Sequence, residues 1–238
     1  MAQKRVAIVQ SSYIPWKGYF DLIRSVDEFI LLDTVQFSKG SWRNRNRIKT
    51  KHGLAWLTIP VYTSGRLLQN VEDTVVSDSS WATRHWQQIR DAYARTPFFE
   101  AYAERVESAY RSLQSDRLSH INRTFTELLC QALGITTNIS SASDYRASDD
   151  RMQRLIDLCQ QAGATEYLSG PAARDYIDET RFAEAGIDLQ FADYSGYPEY
   201  EQPHPPFEHA VSVVDLLFCT GPRAIDFMKD LCPANSPA

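Results

Sequence analysis

Short apolar runs alternate with longer stretches of helical periodicity along this chain, the pattern that a helix-flanked parallel sheet produces. Residues 5–10 read as a buried first strand. They enter the loop SSYIPWKGY, with Pro15 and Gly18, and then a helix carrying Tyr19, Leu22, Ile23 and Val26 on one face. Residues 28–33 form a second strand, too short an apolar run for a helix, and 55–61 a third. Helices are expected over 79–95, 97–113 and 116–133, the last capped by Asp116 and closed by Gly134. Their aromatics (Trp81, Trp86, Tyr93, Phe98, Phe99, Tyr102, Tyr110) read as core. A strand at 135–139, a helix at 148–162, a strand at 165–168, a helix at 172–177 and a strand at 187–192 continue the alternation. The proline-rich loop YSGYPEYEQPHPPFEH then leads to helices at 211–219 and 223–230, and the terminal PANSPA reads as frayed. The expected fold is α/β, a mostly parallel sheet with flanking helices in one domain over 1–238. A helical segment at about 79–134 is inserted as a possible subdomain. In such sheets ligands bind beyond the carboxyl ends of the strands.

Charge departs from this regular picture in one place. The 238 residues carry 25 Lys and Arg against 30 Asp and Glu, net −5, so the bulk field repels nucleic acid and anionic surfaces. Between Asp33 and Glu72, however, there is no carboxylate side chain, while Lys39, Arg43, Arg45, Arg47, Lys49, Lys51 and Arg66 all fall there. In extended backbone Arg43, Arg45, Arg47, Lys49 and Lys51 would line one face as a cationic ridge. Arg grips phosphate bidentately and Lys adds a point charge, so a phosphate-bearing small molecule is the natural counterpart. The competing reading is a solvated basic edge strand. Cys130, Cys159, Cys219 and Cys232 are scattered without a CxxC pair, which suits buried thiols in a reducing compartment. No secretory h-region and no run of the ~20 apolar residues needed for a membrane span is present, which points to a cytosolic protein. No Cys/His set has metal-ligand spacing, so no metal site is expected.

Four segments could carry chemistry. The loop after the first strand offers Gln10, Tyr13, Gly18 and Tyr19, at a helix N-terminus suited to an anion. Asp33 and Gln36 end the second strand and lead into Arg43, Arg45, Asn46, Arg47 and Lys49; Asp33 reads either as a base or as the ion-pair partner of an arginine. Ser169 and Gly170 follow a strand directly and could form an anion nest, with Asp175 and Tyr176 downstream. Tyr200 and Gln202, with Tyr197, His204, Phe207 and His209, form a polar-aromatic loop suited to cover a sugar or base, and Asp215 follows among apolar neighbours. There is no GxGxxG, P-loop or GxSxG.

The first strand–loop–helix unit resembles that of nucleotidylyltransferase-type (HUP) folds, with Gly18-Tyr19 standing where those proteins have Gly-His. Taken together, QSSYIPWKGYFDLI, DEFILLDTVQFSKGSWRNRNRIKT, YLSGPAARDYID and YPEYEQ…FEHAVSVVDLLFCTG resemble the WbqC-like family from about Val6 to Gly221. Ser11-Ser12 stands where that family more often has proline. The resemblance implies a setting in bacterial surface-polysaccharide or related secondary-metabolite biosynthesis. The reading that follows is a transferase acting on a phosphate-bearing activated molecule such as a nucleotide-sugar, for example moving an acyl or aminoacyl group to an amino sugar. Asp33, Asp175 and Asp215 are the catalytic candidates, and the remaining polar residues named above are the binding candidates. Two other readings stand beside it: an ATP-dependent adenylyl or nucleotidyl transferase using Mg2+, set against the missing histidine, and a non-catalytic binding protein of a biosynthetic complex. A contact of the ridge with tRNA is a weaker third. The sequence does not set the oligomeric state.

Overall fold

The computed structural model describes residues 3–231. Five parallel strands form the central sheet in the order β5-β2-β1-β6-β7: β1 (Arg5–Val9), β2 (Glu28–Leu31), β5 (Asn138–Ser141), β6 (Glu166–Ser169) and β7 (Asp188–Phe191). The three central strands β2, β1 and β6 are short and buried on both faces, whereas the edge strands β5 and β7 are more polar and partly exposed. Ala7, Phe29, Leu31 and Leu168 face one side. They pack with α1 (Lys17–Arg24), α2 (Trp81–Tyr93), α3 (Phe99–Ser112), α4 (Leu118–Ala132) and α7 (Val213–Thr220). Val6, Ile8, Ile30 and Tyr167 face the other, against α5 (Arg151–Gln161) and α6 (Glu179–Glu184). This two-sided α/β arrangement is Rossmann- or HUP-like. Chain order reverses between β1 and β6, which makes the carboxyl end of β1 the switch point where a crevice opens.

The long crossover from β2 to β5 holds the three expected helices and, before them, an antiparallel hairpin of β3 (Arg45–Thr50) and β4 (Gly53–Thr58). Several expectations change here. The third strand lies in this hairpin, outside the parallel sheet. The basic ridge is shorter than five: Arg45, Arg47 and Lys49 share the β3 face, Arg43 precedes the strand, and Lys51 sits in the hairpin turn. Asp116 does not cap α4. Its carbonyl accepts from Val76 N at 2.9 Å in a bridged segment, and the helix starts one residue after Arg117. Gly134 does follow that helix in left-handed backbone, φ 71°. Residues 171–175 and 221–227 are 3-10 turns where α-helix was expected, and α6 had no counterpart in the sequence reading. The 148–162 helix begins at Arg151, with Asp150 accepting from Gln153 N at 2.8 Å. Cys130 and Cys159 are buried and free and Cys219 is partly buried, while Cys232 and the PANSPA tail lie outside the described residues. No helix among the described residues is long and apolar enough to cross a membrane.

Candidate functional site

The crevice at the carboxyl end of β1 contains a cleft of about 300 Å³, lined by Ser12, Pro15, Trp16, Tyr19, Trp42, Arg43, Asn46 and Ala210. Four parts of the chain meet there: the loop after β1, the start of α1, the entry to β3, and the end of the proline-rich loop. Val213 N donates to Pro15 O at 2.8 Å and Ser212 N to Arg47 O at 2.8 Å, which ties the last of these to the others. Trp42 O accepts from Tyr13 N at 3.0 Å and locks the entry to β3 onto the loop after β1.

The β1 loop is bent through Ile14, a β-branched residue at φ 35°. This conformation costs on the order of 1–3 kcal/mol and persists only where the surroundings impose it. Asn46 imposes it. Its Nδ2 donates to Tyr13 O (3.1 Å) and Ile14 O (2.9 Å) from a buried position on β3.

Arg43 is the charged group of the cleft. Its Nη1 donates to Gln10 Oε1 at 2.8 Å, and its Nε is buried without a hydrogen-bond partner. Burial lowers its affinity for the proton, and the nearby Tyr19 and Asp33 oppose that shift. At any ordinary pH the guanidinium stays charged. Asp33 lies behind it, 3% exposed, accepting from Ser11 N at 2.8 Å. Burial pushes the Asp33 carboxyl up, while the Ser11 hydrogen bonds and the Arg43 charge pull it down. Asn122 Nδ2 joins Ser11 Oγ and Arg43 O, both at 2.9 Å, so the loop and the arginine are fixed from below. Tyr19 donates to Gln10 O at 3.3 Å.

The remaining ridge residues are compensated by aromatic rings and carbonyls. Arg45 lies 4.2 Å over the Trp56 ring with its Nε buried and unpartnered, and Arg47 lies between Trp42 and Trp56 (5.7 and 5.6 Å) while donating to Ala210 O at 3.1 Å. Lys49 is buried and reaches Pro206 O, on the Asp215 side of the proline-rich loop.

Other candidates sit elsewhere. Tyr13 is fully buried, its hydroxyl between His85 Nδ1 (2.9 Å) and Tyr110 OH (2.5 Å), so it anchors the loop in the core and does not line the cleft. Gly18 is needed for packing: a Cβ there would meet the Trp16 indole at 2.3 Å. That indole covers the start of α1, where an anion was expected. Gln36 is spent on Leu67 O at 2.7 Å. Asp215, fully buried, accepts from Tyr93 (2.8 Å), Tyr200 (2.6 Å) and Gln202 (3.0 Å); its carboxyl is pushed up by burial, and these groups pin the proline-rich loop. Ser169 is buried and donates to Tyr167 OH at 3.3 Å, Gly170 opens the 3-10 turn, Asp175 is exposed, and Tyr176 stacks under Arg151 at 3.6 Å. None of these four lines the cleft, and Asp33, Asp175 and Asp215 do not form one cluster. No group of His, Cys, Asp and Glu that could hold a metal occurs among the described residues.

Sequence reasoning missed Trp16, Trp42, Ser12 and Lys17. Lys17 is buried below Tyr197 (4.7 Å) and Tyr200 (5.4 Å) and donates to Pro198 O at 3.0 Å, and burial lowers its pKa to about 8. The flanking of Arg43 and Pro15 by tryptophans was the one available signal for the aromatic walls.

The uncharacterised protein Rv1507c of Mycobacterium tuberculosis (strain ATCC 25618 / H37Rv) is 46% identical over 226 residues, covering 95% of this chain and 98% of that protein. No solved structure matches the chain. The profile of the WbqC-like protein family matches residues 10–227, and so takes in every element that builds the cleft, from Gln10 to the 3-10 turn after α7. The chain belongs to the WbqC-like protein family.

Proposed function

We propose that the cleft binds a phosphate-bearing activated small molecule, and that the protein is a transferase of bacterial surface-polysaccharide or related biosynthesis. The observation that carries this reading is the Arg43 guanidinium, half-buried at the cleft wall between Trp42 and Tyr19, with a buried Nε that has no protein partner. Indole and phenol walls suit the flat or apolar face of a sugar or base. A desolvated guanidinium selects an anionic or carbonyl oxygen on that ring, because a charge-assisted bond there faces little competition from water. Arg45 and Arg47 stand on the same face of the hairpin, beside Trp42 and Trp56, and in this reading supplement Arg43 in holding phosphate.

Of the three carboxylates, Asp33 is the one joined to the cleft. It fixes the Ser11 amide and with it the loop, and its charge acts on Arg43 without a direct bond. Asp215 organises the proline-rich loop, and Asp175 is free to meet solvent. In an acyl or aminoacyl transfer, this machinery would hold the nucleotide-linked amino sugar while its amine attacks the acyl carbonyl, forming the amide as the bond to the acyl carrier breaks and the amine proton passes to water. ATP-dependent nucleotidyl transfer is the weaker reading, since the Trp16 indole occupies the space over the α1 N-terminus where phosphates would dock. Calorimetric titration with a panel of nucleoside-diphosphate sugars, with and without Mg2+, tests this. Saturable binding weakened by Arg43→Ala by about 1–3 kcal/mol is expected. Binding that leaves Arg43→Ala and Trp42→Ala unaffected would remove the cleft from the account.

A further inference from the structure

The cleft accounts for Trp42 and Arg43 but not for the surface beside it. Of the eight large apolar side chains exposed among the described residues, six (Trp42, Leu54, Trp56, Tyr62, Leu67 and Leu68) fall between residues 42 and 68. Leu67 and Leu68 are 81% and 82% exposed, so the fold gains almost nothing from them. Residues 34–71 lack carboxylate side chains, and Lys39, Lys51 and Arg66 within them are all exposed.

These residues are tied into one neighbourhood. Gln36 donates to Leu67 O at 2.7 Å, Phe37 N to Gln69 O at 2.9 Å, and Gln36 bridges Asn70. The leucine loop is therefore seated on the segment that continues through Lys39 and Gly40 to Trp42. A Cβ at Gly40 would lie 3.6 Å from the Arg45 guanidinium, which in turn covers Trp56, and the Trp42 and Trp56 rings are 5.4 Å apart. Arg66 lies 5.5 Å over Tyr62. Gln10, bonded to Arg43 in the cleft wall, also reaches Gln36 O at 3.5 Å, so the patch borders the cleft mouth.

A solvated basic loop accounts for the cations but not for two bare leucines. A nucleic-acid groove accounts for the cations and indoles, and again not for the leucines, which neither phosphate nor base rewards. An anionic bilayer surface suits all three: leucines enter the acyl boundary, indoles and Tyr62 sit at the headgroup level, and cations meet lipid phosphate. We propose that this face docks the protein on a bilayer containing anionic phospholipid, with the cleft opening at the headgroup level. The charge match is local, since the rest of this net-acidic chain would be repelled and would turn away from the lipid.

The test is co-sedimentation of the full chain with vesicles of phosphatidylcholine alone and of phosphatidylcholine mixed with phosphatidylglycerol. Wild type should pellet with the mixed vesicles and be released by salt. The double variant Leu67→Asp/Leu68→Asp should lose about tenfold or more in partitioning, and Lys39→Ala/Arg66→Ala a smaller factor, with unchanged circular dichroism. Arg43→Ala should pellet as wild type does, so failure of the cleft reading leaves this one standing. Wild type remaining in the supernatant, or pelleting unaffected by the leucine variant, would overturn docking. So would a tRNA gel shift abolished by the cation variant alone, or a self-association dispersed by the leucine variant in the absence of lipid.

Discussion

Arg43 combines partial burial with a permanent charge, and few arrangements tolerate that without an oxygen to receive its N–H groups. Gln10 supplies one, Asp33 adds a field from behind, and Nε is buried without a protein partner. Arg43→Lys keeps the charge but not the planar fork, so it should bind ligand nearly as poorly as Arg43→Ala, about tenfold or more below wild type in a calorimetric titration. Asp33 was legible in the sequence as a carboxylate at a strand end, and Arg43 and Asn46 as polar groups in an acid-free stretch. Tyr13, Tyr200, Gln202 and Asp215 look the same on the page as cleft residues, yet the fold turns them inward. Residue type does not reveal whether a hydroxyl or amide is already spent on a neighbour. Gly18 shows the same limit from the other side: it reads as an anion-loop glycine, and it is there because Trp16 packs on it. Gly18→Ala should therefore destabilise by about 1–3 kcal/mol in chemical denaturation, as overpacking does.

At the level of elements, the β1 loop and the β3–β4 hairpin act as one unit through Asn46. Replacing Asn46 by Ala would leave the Tyr13 and Ile14 carbonyls buried with a partner lost and would release the strained Ile14. A loss of about 1–3 kcal/mol in denaturant stability is expected, together with weaker ligand binding, because the cleft wall is no longer fixed. The hairpin also explains why the ridge was only partly legible. Alternation predicted that Arg45, Arg47 and Lys49 share a face, and they do; where the strand began and ended decided the fate of Arg43 and Lys51. Periodicity placed α2 and α3 within two residues at each end, since their apolar stripes are long. It could not place α6, whose six residues bury only Phe182, nor separate 3-10 turns from α-helix over five to seven residues.

For the molecule as a whole, the strand–helix alternation fixed the α/β class in advance, while strand order and the position of the switch point required long-range pairing that no local pattern encodes. Two buried groups should give the folded state an unusual pH response. Burial raises the Asp21 carboxyl to about 6, against hydrogen bonds from Tyr197 and Lys229, and lowers His85 to about 4. Between pH 4 and 6 native Asp21 binds more protons than the unfolded chain, so its contribution is lost as pH rises; native His85 binds fewer, so its contribution is lost as pH falls. The two slopes oppose each other. In urea melts over this range Asp21→Asn should gain stability relative to wild type as pH rises, and His85→Gln should lose it, each by up to about 2–3 kcal/mol. Parallel curves for all three proteins would refute the assignment. Ligand binding in the cleft is read most simply by tryptophan fluorescence during titration with nucleoside-diphosphate sugars, because Trp16 and Trp42 line it. A saturable change is expected for at least one sugar, reduced in Trp42→Phe and shifted about tenfold or more to weaker binding in Arg43→Ala. The same titration curve in wild type and Arg43→Ala would contradict it.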